Sequence, residues 1–157
     1  MLISVVGGGN PTLEAYKAAE QVGVELAGRG VTVVCGGLGG VMEAVCKGAR
    51  AAGGHTIGIL PGPDPAEANP YVEFPIATGL GYVRNVIVVR AGKAVIAIDG
   101  NHGTLSEIAF ALTYEIPVVG LDTWELSLGG QVDTRVLRAK NPVDAVEQAL
   151  AAARARA

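Results

Sequence analysis

Aromatic side chains are scarce in this sequence, 4% of 157 residues, and charged ones reach only 17%. Half of the residues are apolar, which excludes a solvated, disordered chain and supplies enough material for a core of its own. Positive charge is in deficit, with 12 Lys and Arg against 15 Asp and Glu and a net charge of −3. A surface that grips a nucleic acid needs concentrated basic charge, so nucleic acid is not an expected partner. No apolar run reaches the ~20 residues of a membrane span, so no membrane contact is expected either. The opening segment MLISVVGGGN has neither a basic stretch nor a cleavage pattern, so no secretory signal is expected and the cytoplasm is the expected location. Cys35 and Cys46 are too few for a disulfide framework or a metal site and read as two buried thiols.

Two nucleotide-binding signatures are also missing. After the first apolar run the chain reads Gly7-Gly8-Gly9-Asn10-Pro11-Thr12, which lacks the third glycine of G-x-G-x-x-G. No acidic residue closes the next strand, where Val33-Val34-Cys35-Gly36 stands, so a nicotinamide cofactor is not expected. The pattern G-x-x-x-x-G-K-[ST] is absent as well, which argues against P-loop nucleotide hydrolysis.

Glycine is abundant, at 23 residues, and it falls where apolar runs end. Short apolar stretches at 2–6, 31–35, 55–60, 93–98 and 117–121 read as strands buried on both faces. Between and after them, helical spacing covers 12–29, 41–52, 82–91, 104–114 and 143–154. Asn10-Pro11 and Asn141-Pro142 read as helix caps followed by a first-turn proline, and Gly30 as a helix-ending glycine. The segment 61–70, with four prolines, reads as a loop, 71–76 as an extended edge strand and 124–133 as irregular. This alternation predicts one α/β domain spanning 1–157: a Rossmann-like, doubly wound, mostly parallel sheet with helices on both faces. In such sheets ligands bind beyond the C-terminal strand ends, where strand order reverses. The glycine turns at Gly8 and Gly9, at Gly36, Gly37, Gly39 and Gly40, and at 99–104 are candidates to converge there.

The third turn carries the most chemistry. An apolar strand breaks into Asp99-Gly100-Asn101-His102-Gly103-Thr104, and a helix begins. Open backbone N–H groups and the helix dipole make such a junction an anion site, and glycine lets a phosphate approach. Thr104-x-x-Glu107 has the spacing of a capping box, in which Thr104 caps the helix and Glu107 reaches back. The alternative is that Thr104 and Glu107 face a ligand. Arg84 and Asn85 precede this strand at a glycine-initiated helix. Arginine at a helix start gains nothing from the dipole and needs a local anion, whether ligand, Glu107 or solvent.

These residues resemble the LOG (LONELY GUY) family, once labelled lysine decarboxylases, whose hallmark is P-G-G-x-G-T-x-x-E after an arginine pair in a helix. Gly100, Gly103, Thr104 and Glu107 match it, while Asp99 stands in place of proline and Asn101 in place of the second glycine. Arg84-Asn85 takes the place of the family's Arg-Lys. The segment from Gly36 to Met42 is similar to G-G-G-x-x-G-L-M, and Ile57-Gly58-Ile59-Leu60-Pro61 to I-G-V-I-P. Asn85 and the short length look more like a sister branch that includes molybdenum cofactor carrier proteins. The resemblance implies a pocket for a phosphorylated heterocycle, either a nucleoside monophosphate or a pterin-type cofactor such as the molybdenum cofactor, as bound ligand, with no cofactor required. In that pocket Gly8, Gly9, Gly36, Gly37, Gly39, Gly40, Asn85, Asp99, Gly100, Asn101, His102, Gly103 and Thr104 would bind ligand. Three expectations stand together: a binding or carrier protein; a nucleoside 5′-monophosphate phosphoribohydrolase using Glu107 and Arg84; and a structural or oligomeric domain. The apolar stretch Val86-Ile87-Val88-Val89 with Val83 suits a subunit interface, so a homodimer or homotetramer is expected.

Overall fold

The computed structural model describes residues 1–156. Leu2–Gly7 (β1) is followed by Leu13–Gly28 (α1), Thr32–Cys35 (β2), Val41–Ala51 (α2) and Thr56–Leu60 (β3). Phe74–Ala77 (β4), Asn85–Ala91 (α3), Val95–Ile98 (β5), His102–Thr113 (α4) and Val118–Leu121 (β6) come next. The chain ends with the hairpin Ser127–Leu128 (β7) and Gln131–Val132 (β8), then Val136–Arg138 (β9) and Pro142–Ala155 (α5). Single 3₁₀ turns lie at Pro65–Glu67 and Gly81–Arg84.

Seven strands form one parallel sheet in the order β4-β3-β2-β1-β5-β6-β9. The chain winds outward from β1 to β4, then crosses back to lay β5 on the other side of β1, with Val5 opposite Ile96. Strand order therefore reverses between β1 and β5, and a crevice opens beyond their C-terminal ends. Strand periodicity of two divides the core. Ile3, Val5, Val33, Cys35, Ile96 and Ile98 pack with residues of α1, α2 and α5. Val6, Val34, Val95 and Ala97 pack with Val88, Val89, Ile108 and Ala111 of α3 and α4. Each fully buried aliphatic chain contributes about 1.5–3 kcal/mol, so burial on both faces explains the unbroken apolar strands.

Helix starts differ from the sequence expectation. Thr12, not Asn10, caps α1, its hydroxyl accepting from the Ala15 N–H at 3.2 Å. Asn101, not Thr104, caps α4, its side chain accepting from the Gly103 N–H at 3.2 Å. The helix therefore starts at His102, and the capping-box reading of Thr104 and Glu107 is corrected: both side chains are buried in the site instead. In each case a residue two or three positions away takes the extended backbone of a cap and accepts the helix N–H. The stretch 82–91 is not one helix but a 3₁₀ turn that passes into α3 at Asn85. The expected irregular segment 124–133 holds the β7–β8 hairpin. Asn141 caps α5 as expected, accepting from the Asp144 N–H at 2.9 Å, and Gly30 follows α1 with φ +70°.

Candidate functional site

A crevice of about 210 Å³ lies at the strand-order reversal. Its wall is built at all three glycine turns: Val6 and Gly7 at the end of β1 with Gly9 beyond it; Gly36, Leu38 and Met42 after β2; Asn101, Gly103, Thr104 and Glu107 at the start of α4. Tyr82, Arg84 and Asn85 close it from the turn before α3. Four of these polar residues are almost wholly inaccessible, with Arg84 and Glu107 at 6% exposure, Asn85 at 3% and Thr104 at 2%. Buried charge is costly unless it is partnered, so these positions call for an explanation in chemistry.

Arg84 is held from two sides. Its Nη2 donates to the Gly36 carbonyl at 3.3 Å and its Nη1 donates to Asn85 Oδ1. Its Nε is buried with no hydrogen-bond acceptor among the described residues. Asn85 passes the arrangement on: its Nδ2 donates to Ser106 Oγ at 3.1 Å, and Ser106 Oγ donates to the Gly103 carbonyl at 2.6 Å. A chain of hydrogen bonds thus ties the guanidinium to the first turn of α4. Burial pulls the Arg84 guanidinium below its ordinary range, opposed by the charge of Glu107.

Glu107 faces the same crevice. Burial pushes its carboxyl from the ordinary 4.5 up to about 7, with Arg84 pulling the other way. Among the described residues it forms no ion pair within 4.0 Å, with Arg84 or any other cation. A carboxyl poised near neutrality beside an arginine in a cleft is suited to taking or giving a proton, or to steadying a developing cation.

The glycines explain themselves sterically. A Cβ on Gly36 would stand 2.6 Å from Arg84 Nη2, and one on Gly40, at φ +70°, would stand 2.4 Å from the Gly8 carbonyl. Gly8 and Gly40 thus let the first two turns touch, and Val41 N–H donates to the Gly8 carbonyl at 3.0 Å. At Gly9 a Cβ would meet nothing within 4 Å, so this stretch of wall is open.

Of the residues singled out by sequence, Gly9, Gly36, Arg84, Asn85, Asn101, Gly103, Thr104 and Glu107 line the crevice. Gly8, Gly37, Gly39, Gly40, Asp99, Gly100 and His102 lie outside its lining. Gly8 and Gly40 act through close backbone approach instead, and Gly100, at φ +111°, leaves room for the Thr104 side chain. The His102 ring stacks on Trp124 at 6.0 Å between centroids, on the edge of a second groove of about 460 Å³. Asp99 adopts left-handed backbone with φ +51°, and its carboxylate lies beside Gly8. Sequence reasoning missed the apolar lining of Val6, Leu38, Met42 and Tyr82, and it missed Ser106. Only the position of Ser106 within the hallmark-like helix could have drawn attention to it.

Fold and site together define a Rossmann-like α/β protein with an arginine- and carboxyl-bearing crevice at the switch point of its sheet. The chain belongs to the SLOG cluster4 family, whose profile matches residues 1–152. It is 34% identical over 138 residues to the cytokinin riboside 5′-monophosphate phosphoribohydrolase of Mycobacterium tuberculosis, spanning 78% of this chain and 71% of that one. It is similar in structure to the molybdenum cofactor binding protein of Rippkaea orientalis, with a TM-score of 0.85 and 35% identity over 96% of this chain and 95% of that one. The molybdenum cofactor carrier protein of Chlamydomonas reinhardtii matches with a TM-score of 0.84 and 34% identity, over 96% and 98% of the two chains. The likeness read from the sequence, to LOG proteins and to the branch with the molybdenum cofactor carriers, is shown by these relatives. Among the described residues, no helix is long and apolar enough to cross a membrane.

Proposed function

We propose that this protein binds a phosphorylated heterocycle, a nucleoside monophosphate or a pterin-type cofactor carried as cargo, with its phosphate between Arg84 and the first turn of α4. The observation that carries this reading is the buried Arg84, whose Nε lacks an acceptor beside the capped start of α4. Guanidinium and open helix N–H groups are complementary to a phosphate's oxygens. The crevice has one fixed cation, since Asn85 stands in place of the second basic residue of the LOG hallmark. It also has apolar wall at Leu38, Met42 and Tyr82 against which a flat ring can lie. At about 210 Å³ it encloses part of such a ligand, below the ~300–1,000 Å³ of sites for larger molecules, and the rest projects through the open side.

Glu107 favours a second reading, N-glycosidic phosphoribohydrolysis. Cleavage of a base from ribose passes through an oxocarbenium-like state, which a carboxylate stabilises or relieves by activating water. The relatives include both a phosphoribohydrolase and cofactor carriers, and both readings use the same phosphate site. Leu80, Tyr82, Val83 and Ile87 are exposed beside the crevice, and we assign them to a homodimer or homotetramer interface. Light scattering at micromolar concentration checks that assignment, and a monomer counts against it.

Thermal shift combined with base release, using AMP, GMP, IMP, CMP and UMP, tests the two functional readings. Stabilisation lost in Arg84→Ala, with no base released, supports a binding protein and moves the search to pterin cofactors. Release that disappears in Glu107→Gln supports the hydrolase. A protein stabilised by none of these nucleotides, nor by a phosphorylated pterin, would refute the phosphate site.

A further inference from the structure

Cys35 and Cys46 are fully buried, and their sulfurs lie 3.5 Å apart across the packing of β2 against α2. The function proposed above does not use them. Cys35 immediately precedes Gly36, whose carbonyl receives Arg84 Nη2. The Gly37 N–H donates to Cys35 Sγ at 3.3 Å, so the sulfur is already placed as an acceptor within the turn that forms the crevice wall. We propose that these two residues are a redox-active dithiol, converted to a disulfide by a small neutral peroxide, and that this modification reshapes the anion site.

The two sulfurs differ in role. A hydrogen bond from the Cys46 thiol lowers the Cys35 thiol's affinity for its proton against the effect of burial, helped by the Gly37 N–H and the positive charge of Arg84. Cys46 is pushed up by Cys35 and by burial. Cys35 is therefore the attacking sulfur and Cys46 the resolving one. The Cys35 thiolate attacks one oxygen of hydrogen peroxide, the O–O bond breaks, and the hydroxide released takes up a proton as water, leaving a sulfenic acid. The Cys46 sulfur then attacks Cys35 Sγ, the S–O bond breaks, and the departing hydroxide takes the Cys46 proton as a second water. Two thiols are oxidised and one peroxide is reduced to two waters.

Burial selects the oxidant. Neither side chain has accessible surface, so a bulky charged disulfide such as oxidised glutathione cannot reach the pair in the folded protein, whereas hydrogen peroxide is close to water in size. Bonding brings the sulfurs from 3.5 Å to about 2.05 Å, which has to be accommodated by Cys35 and the Gly36-Gly37 turn or by α2. Gly36 has little slack, because Arg84 Nη2 and Met42 Sδ fill the space where a Cβ would stand. Movement there changes the seat of the guanidinium.

The test is intact mass. Folded protein is treated with hydrogen peroxide, unfolded in iodoacetamide and weighed. The expected product is lighter by two hydrogens and carries no alkyl group, while glutathione disulfide leaves both thiols free to be alkylated. Two alkyl groups after peroxide, or added oxygens in place of the disulfide, would overturn the proposal. Equal oxidation by glutathione disulfide would overturn the size selection. In Cys46→Ala, or in Cys46→Ser should the first not fold, Cys35 stops at the sulfenic acid, which dimedone traps once the peroxide-treated protein is unfolded in its presence; no adduct refutes the assigned roles. The coupling rests on the proposed phosphate site and is read separately, by calorimetry with inorganic phosphate. Affinity falls by about tenfold or more on oxidation, as expected when a charge-assisted hydrogen bond is misplaced, and dithiothreitol restores it. Unchanged affinity refutes the coupling alone, and no binding by the reduced protein refutes the phosphate site without touching the dithiol.

Discussion

Replacing Glu107 by glutamine removes a carboxyl that the fold holds from its ordinary 4.5 up to about 7. That difference is about 2.5 pH steps, and at ~1.36 kcal/mol each it amounts to about 3.4 kcal/mol. The sign follows from proton counting. At pH 4 the side chain is protonated in both folded and unfolded chains, and it imposes no penalty. As pH rises through 4.5 the unfolded chain releases its proton while the folded protein keeps it, so stability falls until the folded group ionises near 7. Above that the penalty is complete. Glu107→Gln keeps the volume and never ionises, though its amide brings buried donors that offset about 1 kcal/mol. The variant is therefore expected to gain about 2–3 kcal/mol over the wild type at pH 8, roughly 5–10 °C in Tm, and at pH 4 to lose all of that advantage and fall about 1 kcal/mol below the wild type. Urea unfolding of both proteins from pH 4 to 8 reads this directly. A difference that stays constant across that range would refute the reasoning, since it would mean that Glu107 titrates as it does in an open chain. If the same variant gains stability and loses base release, Glu107 is a group whose cost to folding serves chemistry.

Three other outcomes follow from the packing. Gly48→Ala places a Cβ 1.9 Å from the Glu20 carbonyl, so α1 and α2 must separate; a loss of about 3 kcal/mol in urea denaturation is expected, and a neutral result would refute the close packing. Asp99→Pro restores the residue of the LOG hallmark, yet φ +51° lies far from proline's −65° and the Asp99 N–H donates to the Leu121 carbonyl; a loss of about 3 kcal/mol or more in Tm-derived stability is expected. Gly36→Ala places a Cβ 2.6 Å from the held Arg84 Nη2 and 2.7 Å from Met42 Sδ, so the guanidinium must shift; a loss of about 1–3 kcal/mol in urea denaturation and a phosphate affinity about tenfold lower by calorimetry are expected, and unchanged affinity would count against the seat assigned to Arg84.

Much of the site could be read in the chain because it is carried by glycine turns at strand ends. Apolar runs punctuated by glycine report strands buried on both faces, and strand alternation with helices leaves few sheet topologies. Arg84 stood out because an arginine at a helix start has no support from the dipole. The caps were harder. Asn10 and Thr12, or Asn101 and Thr104, offer nearly the same local chemistry, and only the full backbone path decides which one closes the helix. The apolar wall of Val6, Leu38, Met42 and Tyr82 gave no signal, because an apolar residue facing a ligand looks like one facing the core.

Glu107 shows where the division lies. A glutamate three residues after a threonine at a helix start is what a capping box and a ligand-facing carboxyl both look like, since each needs the same spacing. The sequence by itself determined the parallel sheet, the three turns and the residue types available at them, because strand burial and glycine placement are local, periodic properties. The tertiary structure alone decided that β5 pairs with β1, that Arg84 reaches across to Gly36, that Asn85 and Ser106 link it to α4, and that Cys35 touches Cys46. Apart from the local bond of Ser106 to Gly103, those contacts join residues from 11 to 91 positions apart, so they depend on how helices and strands stack, which no local pattern encodes.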